Sequence, residues 1–267
     1  MRKRSGQATL VLVVTVMVVS LAVGVASARR AVSGIRRSTY SQQADQAYSC
    51  AEAGAEQGIS ETTNNGSSSI GGPYGPTNLD SEGGNSICSY TYTISDAKEN
   101  ENGGCTYSMD TEVQKDDVFE VNLKGYNGNF AIYWGSSNDA SLEVTLIKGS
   151  SPPYDVEKSA FYCDTAPSPS GGFEAGNQNS PLSGYHCYTN SFNIGGNYQI
   201  ARIRPLFESA NIKAFFNDCG SVPVQGFKII SEGLAGEAKR RLQVKVTNPQ
   251  LSSIFDFVMF SGGDISK

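Results

Sequence analysis

The chain has 267 residues, of which 39% are hydrophobic and 18% charged, with 29 glycines, 13 tyrosines, six cysteines and one histidine. That length holds one sizeable domain with attachments or two small ones, and the sparse charge suits a loop-rich, β-rich extracellular protein better than a cytosolic helical one. Seven of the 21 Lys/Arg fall in the first 40 residues, which carry no Asp or Glu, leaving 14 basic against 26 acidic residues and a net of −12 beyond them. An acidic bulk without a basic patch excludes general attraction to nucleic acid.

The first element is the uncharged run "ATLVLVVTVMVVSLAVGVASA", Ala8 to Ala28. As a helix it spans about 31 Å, the thickness of a bilayer core. A cleaved secretory signal is the competing reading, because a basic "RKR" precedes the run and Ala26-Ser27-Ala28 fits a cleavage pattern. The run exceeds a signal's roughly 7–15-residue apolar region, which favours a retained membrane helix. Lys/Arg counts of three and four on its two sides do not set its orientation; the cysteines and the Gly/Ser-rich region that follow place the C-terminal part outside.

No proline appears before Pro73, so the helix is expected to continue past the membrane to about Ile59. At about 100° per residue, Ala44, Ala47, Tyr48, Ala51, Ala55 and Ile59 share one side, with Gly54 and Gly58 at its edge. Cys50 lies beside Gly54, and Asp45, Glu52 and Glu56 gather on the flank. Such a stripe lets another backbone approach closely; an ordinary surface helix under a globular head is the plainer alternative.

A short basic leader ending in Gly6, a long apolar helix, arginines, and then "QQADQAYSCAEAGAE" follow one another. Over residues 2–58 this resembles the N-terminal region of PilX-type minor type IV pilins and K-type minor pseudopilins, with Ala51-Glu52-Ala53-Gly54 carrying most of the likeness. The resemblance implies a prepilin leader (1–6) cut on the cytoplasmic side between Gly6 and Gln7, a transmembrane helix (7–28) and an extramembrane helix (29–60). It also implies bundling with other pilin subunits in a filament core. Gln7 stands where the family usually has a large apolar residue. Val11 stands where major pilins have glutamate, a loss shared by the minor subset and suited to the tip or priming complex, since an unpaired charge in such a core is costly. The assembly residues implied are Ala44, Ala47, Tyr48, Ala51, Glu52, Gly54, Ala55 and Gly58. Arg29, Arg30, Arg36 and Arg37 near the membrane and Asp45, Glu52 and Glu56 farther out would then set register between staggered subunits, a solvated charged face being the equal alternative.

Residues 61–86 are rich in Gly, Ser, Asn and Pro and read as a linker. From residue 87 to 267 a period of two dominates. Phe119, Val121 and Leu123 alternate with polar residues, as do Phe130, Ile132 and Trp134, then Leu142, Val144 and Leu146, then Leu242, Val244 and Val246. The expected fold class is therefore α+β: a long N-terminal helix followed by a mostly antiparallel β head, a sandwich of jelly-roll-like form. Residues 165–181 read as an irregular loop.

Cys50, Cys88, Cys105, Cys163, Cys187 and Cys219 have no close pair, and with His186 as the one histidine they read as disulfides rather than zinc ligands. The suggested pairs are Cys163–Cys187, Cys88–Cys105 and Cys50–Cys219. His186 reads as structural, the acids at Asp96, Glu99, Glu101, Asp116 and Asp117 as solvated rather than calcium-binding, and Trp134 as core rather than a sugar platform. No hydrolase, metalloprotease or phosphate-loop motif occurs. No catalytic residue, cofactor or metal is expected. The expected function is non-enzymatic: a minor pilin-like subunit whose partners are other pilins, the membrane and a prepilin peptidase, with a surface glycan or protein as a possible ligand of the head. The expected location is the cytoplasmic membrane, crossed once with the head outside, and then the pilus or cell surface. A membrane-anchored adhesin or carbohydrate-binding module outside any filament is the alternative, and an extracytoplasmic enzyme the third reading.

Overall fold

The computed structural model describes residues 5–80, 86–135, 140–163, 172–178 and 180–249, with side chains from residue 10 onward. One long helix is followed by mostly antiparallel sheets, the expected α+β class. The helix α1 runs Ser5–Asn65 without a break, and Gly66, at φ 54°, ends it in the left-handed conformation that suits glycine. The strands in chain order are β1 (Gly71–Asp80), β2 (Ser86–Asp96), β3 (Glu99–Glu101), β4 (Gly104–Ser108), β5 (Phe119–Asn122), β6 (Gly128–Trp134), β7 (Ser141–Lys148) and β8 (Asp155–Tyr162). They continue as β9 (Phe173–Ala175), β10 (Cys187–Tyr188), β11 (Phe192–Ile194), β12 (Tyr198–Leu206), β13 (Ile212–Phe216), β14 (Gly226–Ala235) and β15 (Ala238–Thr247).

The residues form two compact units. The first comprises Met1–Ser60, Gly72–Thr93 and Ile230–Gln243. In it the helix packs on a four-stranded sheet of order β1-β2-β14-β15. Alternation builds the sheet's inner face: Cys88, Tyr90 and Tyr92 on β2, and Ser231, Gly233 and Ala235 on β14, are buried. Tyr92 also stacks on Tyr74 of β1, ring centroids 5.1 Å apart.

This sheet corrects the expected linker at 61–86. The segment holds the last turn of α1, a 3-10 turn at Gly66–Ser69, and β1; residues 81–85 lie outside the described residues. The composition misled because β1 is an edge strand. An edge strand leaves one side unpaired, so it tolerates Pro73 and Pro76, which have no N–H to donate. Most of its side chains are exposed, so no alternation marks it. The expected single head beginning at residue 87 is likewise corrected: parts of β2, β14 and β15 belong with the helix.

The second unit comprises Glu61–Gly71, Ile94–Ile229 and Val244–Lys267. Its two sheets have the orders β10-β6-β13-β4-β3, with β11 also on β6, and β5-β12-β7-β8-β9. Take β10 and β11 as one interrupted strand, leave out the three-residue β9, and number the remaining eight strands from β4 to β13 in sequence. One sheet then reads first-eighth-third-sixth and the other second-seventh-fourth-fifth, which is the jelly-roll order. The sandwich expected from the alternating segments is therefore present.

The two inner faces share one core. Phe130, Ile132 and Trp134 of β6 and Phe216 of β13 come from one sheet; Phe119 and Val121 of β5, Leu142 of β7 and Ile203 of β12 come from the other, and all are fully buried. Tyr107 stacks on Phe119 across the sheets at 5.3 Å, and Trp134 meets Phe161 at 6.4 Å. The Trp134 indole donates to the Ala140 carbonyl at 2.9 Å, so the ring's one polar atom is satisfied within the core. Leu242, Val244 and Val246 of β15 are only half-buried. The irregular loop expected at 165–181 contains β9, which pairs in parallel with β8; residues 164–171 and 179 lie outside the described residues.

Candidate functional site

The helix does two different things along its length. Every described side chain from Leu10 to Gln42 is exposed, including Leu10, Met17 and Leu21 at 67%, 67% and 72%. Exposed aliphatic residues over more than five turns are costly in water; the segment is long and apolar enough to cross a membrane. Within it the Thr15 hydroxyl is self-satisfied, donating to the Val11 carbonyl at 2.8 Å. Gly6 and Gln7 lie in its first turns. The described neighbourhoods of Gly24 and Gly34 are open: a Cβ there would meet nothing within 4 Å.

From Ala44 the periodicity becomes a buried stripe. Ala44, Ala47, Ala51, Gly54, Ala55 and Gly58 are all buried, and their partner is the chain's own sheet. A Cβ added to Gly233 of β14 would fall 2.0 Å from the Ala47 carbonyl oxygen and 2.6 Å from the Ala51 nitrogen. One added to Gly54 would fall 2.3 Å from the Ser231 hydroxyl and 2.7 Å from the Tyr90 ring. Small residues are thus needed on both the helix and the strand for the backbones to come so close. Cys50, fully buried in the same stripe, is disulfide-bonded to Cys88 of β2.

The expected assembly face is corrected accordingly. Its alanines and glycines are taken up inside the first unit, and what they pack against is the chain's own sheet. Among the residues expected for assembly, Tyr48, 47% exposed, and Glu52 stay in contact with solvent. Asp45 and Glu56 are exposed as well. At about 100° per residue, Asp45, Glu52 and Glu56 lie within roughly 40° of one another on the helix face turned away from the buried stripe. Arg29, Arg30, Arg36 and Arg37 are exposed on the preceding turns.

In the second unit Cys163 is bonded to Cys187, joining the end of β8 to β10 and so one sheet of the sandwich to the other. This is the expected pair. The expected Cys88–Cys105 and Cys50–Cys219 pairs do not form: Cys88 belongs to Cys50, and Cys105 and Cys219 are thiols. Spacing along the chain favoured a hairpin staple at Cys88; the sheet instead carries Cys88 under the helix.

His186 stands beside the Cys163–Cys187 bond, and the three ligand-type atoms lie within 4.8 Å of one another. The two sulfurs are joined to each other, so neither is the thiolate that a zinc or copper site requires. The candidate calcium acids are held by lysines: Asp96 pairs with Lys98 at 3.3 Å, Glu99 with Lys228 at 3.6 Å and Glu101 with Lys213 at 2.9 Å. Asp116 and Asp117 are exposed.

The outer face of the β5-β12-β7-β8 sheet carries ion pairs. Arg202, 98% buried by its 2% exposure, bonds Glu120 at 2.6 Å. Glu143 accepts from both Lys158 and Arg204. Burial by itself raises the Glu143 pKa, but those two bonds outweigh it and hold the carboxyl below its ordinary range. Beside them lies a cleft of about 220 Å³ lined by Glu120, Asn122, Lys124, Gln199 and Gln225. Its amides engage one another: the Asn122 N–H donates to Gln225 at 2.9 Å, and Gln225 donates back to the Asn122 carbonyl at 2.7 Å. No nucleophile–base pair is assembled in this cleft.

No protein-family model matches the chain, and no curated protein matches it.

Proposed function

We propose that the chain is a non-enzymatic, minor pilin-like (pseudopilin-like) subunit that takes part in assembling a type IV pilus or related filament, at its tip or in its priming complex. One observation carries this reading: a single unbroken helix has an apolar, wholly exposed first half and a second half buried on the subunit's own sheet. The first half has no partner surface within the described fold and is built to be surrounded by lipid or by like helices. The second half fixes it to a folded unit through the Gly233–Ala47 contact and the Cys50–Cys88 bond.

The mechanism is packing. A prepilin peptidase removes residues 1–6 on the cytoplasmic side, leaving the membrane helix in place with Gln7 first. In the bilayer the helix waits with its C-terminal part outside; on assembly the apolar surface passes from lipid to neighbouring pilin helices. Val11 carries no charge into that core, so no partner for a carboxylate is needed. The jelly-roll is the part offered for contact with a surface glycan or protein.

The test is fractionation. In cells that make the filament, the chain tagged at its C-terminus and cut after Gly6 is expected in the sheared filament fraction, and Gly6→Leu is expected to keep it uncut in the membrane. Finding the wild-type chain only in membranes of such cells contradicts the proposal and supports an anchored adhesin or carbohydrate-binding module.

A further inference from the structure

The two thiols outside the disulfides lie together. Cys105 is on β4, and its ladder neighbour on β13 is Phe216. The strands approach so closely there that a Cβ on Gly104 would fall 2.2 Å from the Phe216 carbonyl oxygen. Just past the end of β13 the chain turns: the Gly220 N–H and the Ser221 hydroxyl donate to the Asp218 carboxylate at 3.0 and 2.6 Å. Lys98 braces the turn, donating to the carbonyls of Cys219 at 3.3 Å and Val222 at 2.8 Å. The turn brings Cys219 back against the core cluster that contains Cys105, and the neighbouring Cys219 thiol adds to burial in raising the pKa of Cys105. Cys105 is fully buried and Cys219 half-buried.

We propose that Cys105 and Cys219 are a third disulfide of the mature protein, installed by a thiol–disulfide oxidoreductase in the compartment that forms the other two. This rests on the reading that places this part of the chain outside the cytoplasm. The half-buried Cys219 loses its proton to solvent, and its thiolate attacks the disulfide of the donor protein. One donor sulfur leaves as thiolate and takes up a proton, giving a mixed disulfide. Cys105 then loses its proton and attacks the Cys219 sulfur, and the second donor sulfur leaves as a thiol. Two protein thiols are oxidised and one donor disulfide is reduced to two thiols. Burial fixes the order of steps: it pushes the Cys105 thiol up to about 12, with Lys98 opposing, so Cys105 resolves rather than initiates. The bond ties the first strand of the jelly-roll to the exit from its last.

The test is peptide mapping without reductant on full-length protein taken from membranes and alkylated at once in denaturant. The expected result is one linked peptide pair bearing Cys105 and Cys219, neither alkylated, with Cys219→Ser making Cys105 alkylatable. Alkylation of these two alone, with Cys50–Cys88 and Cys163–Cys187 intact, overturns the third bond and leaves the external placement standing. Alkylation of all six overturns both. Linkage of Cys105 or Cys219 to any other cysteine also overturns it.

Discussion

Gly233 lies on the backbone of Ala47: a side chain as small as a methyl on the strand residue would fall 2.0 Å from the helix residue's carbonyl oxygen. That contact explains why the helix is alanine- and glycine-rich where it is. The stripe Ala47–Ala51–Gly54 is the floor on which the chain's own β14 rests, and Gly54 against Ser231 and Tyr90 repeats the arrangement two turns on. Neither side can relax by rotating a side chain, because the obstacle at Gly233 is backbone. Gly233→Val is therefore expected to destabilise the first unit by about 1–3 kcal/mol or more. Chemical denaturation of the full chain, followed through both units, checks it; an unchanged midpoint would contradict the contact.

Removing the Cys50–Cys88 bond tests the same junction by another route. The cysteines are 38 residues apart, and a loop of that order is worth about 3–4 kcal/mol in the chain-entropy picture. The Cys50→Ser/Cys88→Ser variant is expected to melt roughly 10–30 °C lower in the unit that holds the helix, read by calorimetry. An unchanged melting profile would show that small-residue packing alone holds the helix to its sheet.

Trp134 belongs to the other unit and supplies an independent control. It is fully buried, meets Phe161, and donates its indole N–H to Ala140. Trp134→Ala is expected to cost about 3–5 kcal/mol and to leave an Ala140 carbonyl without that donor. Loss of sandwich stability with the helix-bearing unit intact is the expected calorimetric pattern.

Glu143 gives the pH dependence a sign. Its folded pKa is depressed by Lys158 and Arg204 in spite of burial. The stability it contributes is present above the ordinary glutamate value of about 4.3 and is lost as pH falls through the lower folded value. Glu143→Gln is expected to be less stable than wild type at neutral pH, with the gap closing in acid. A gap that persisted or widened below about pH 3 would contradict the sign.

The proposed filament reading gives the exposed acids of the helix a role in setting register. Asp45, Glu52 and Glu56 face away from the buried stripe, and the Arg29–Arg37 cluster lies about 27 Å earlier along the helix. Glu52→Arg/Glu56→Arg is expected to change stability by less than about 0.5 kcal/mol while reducing recovery in sheared filaments. Arg36→Glu/Arg37→Glu in the same chain is expected to restore part of it, if copies or like subunits pair in this register. Each exposed pair is worth only about 0–1 kcal/mol, so partial recovery is the expected size of the effect.

Much of this was legible in the residues. The helix was visible because nothing breaks it before Asn65, and the sandwich because Phe119–Leu123, Phe130–Trp134 and Leu142–Leu146 alternate cleanly. The four-stranded sheet under the helix was not. Its edge strand β1 is exposed and proline-bearing, so it has the composition of a linker. Its other strands come from opposite ends of the chain, and no local pattern announces a pairing of β2 with β14. The same blindness misassigned Cys88, whose partner is fixed by that sheet. The small-residue stripe was found, but its occupant was not: spacing says that a backbone comes close, and only the fold says whose backbone it is.

The N-terminal residue of the protein extracted from its native membrane or filament tests the filament reading most directly. N-terminal sequencing is expected to begin at Gln7, with the apolar helix retained. A chain beginning at Met1 would make it an uncut anchor, and one beginning at Arg29 a secreted protein; either result contradicts the proposal.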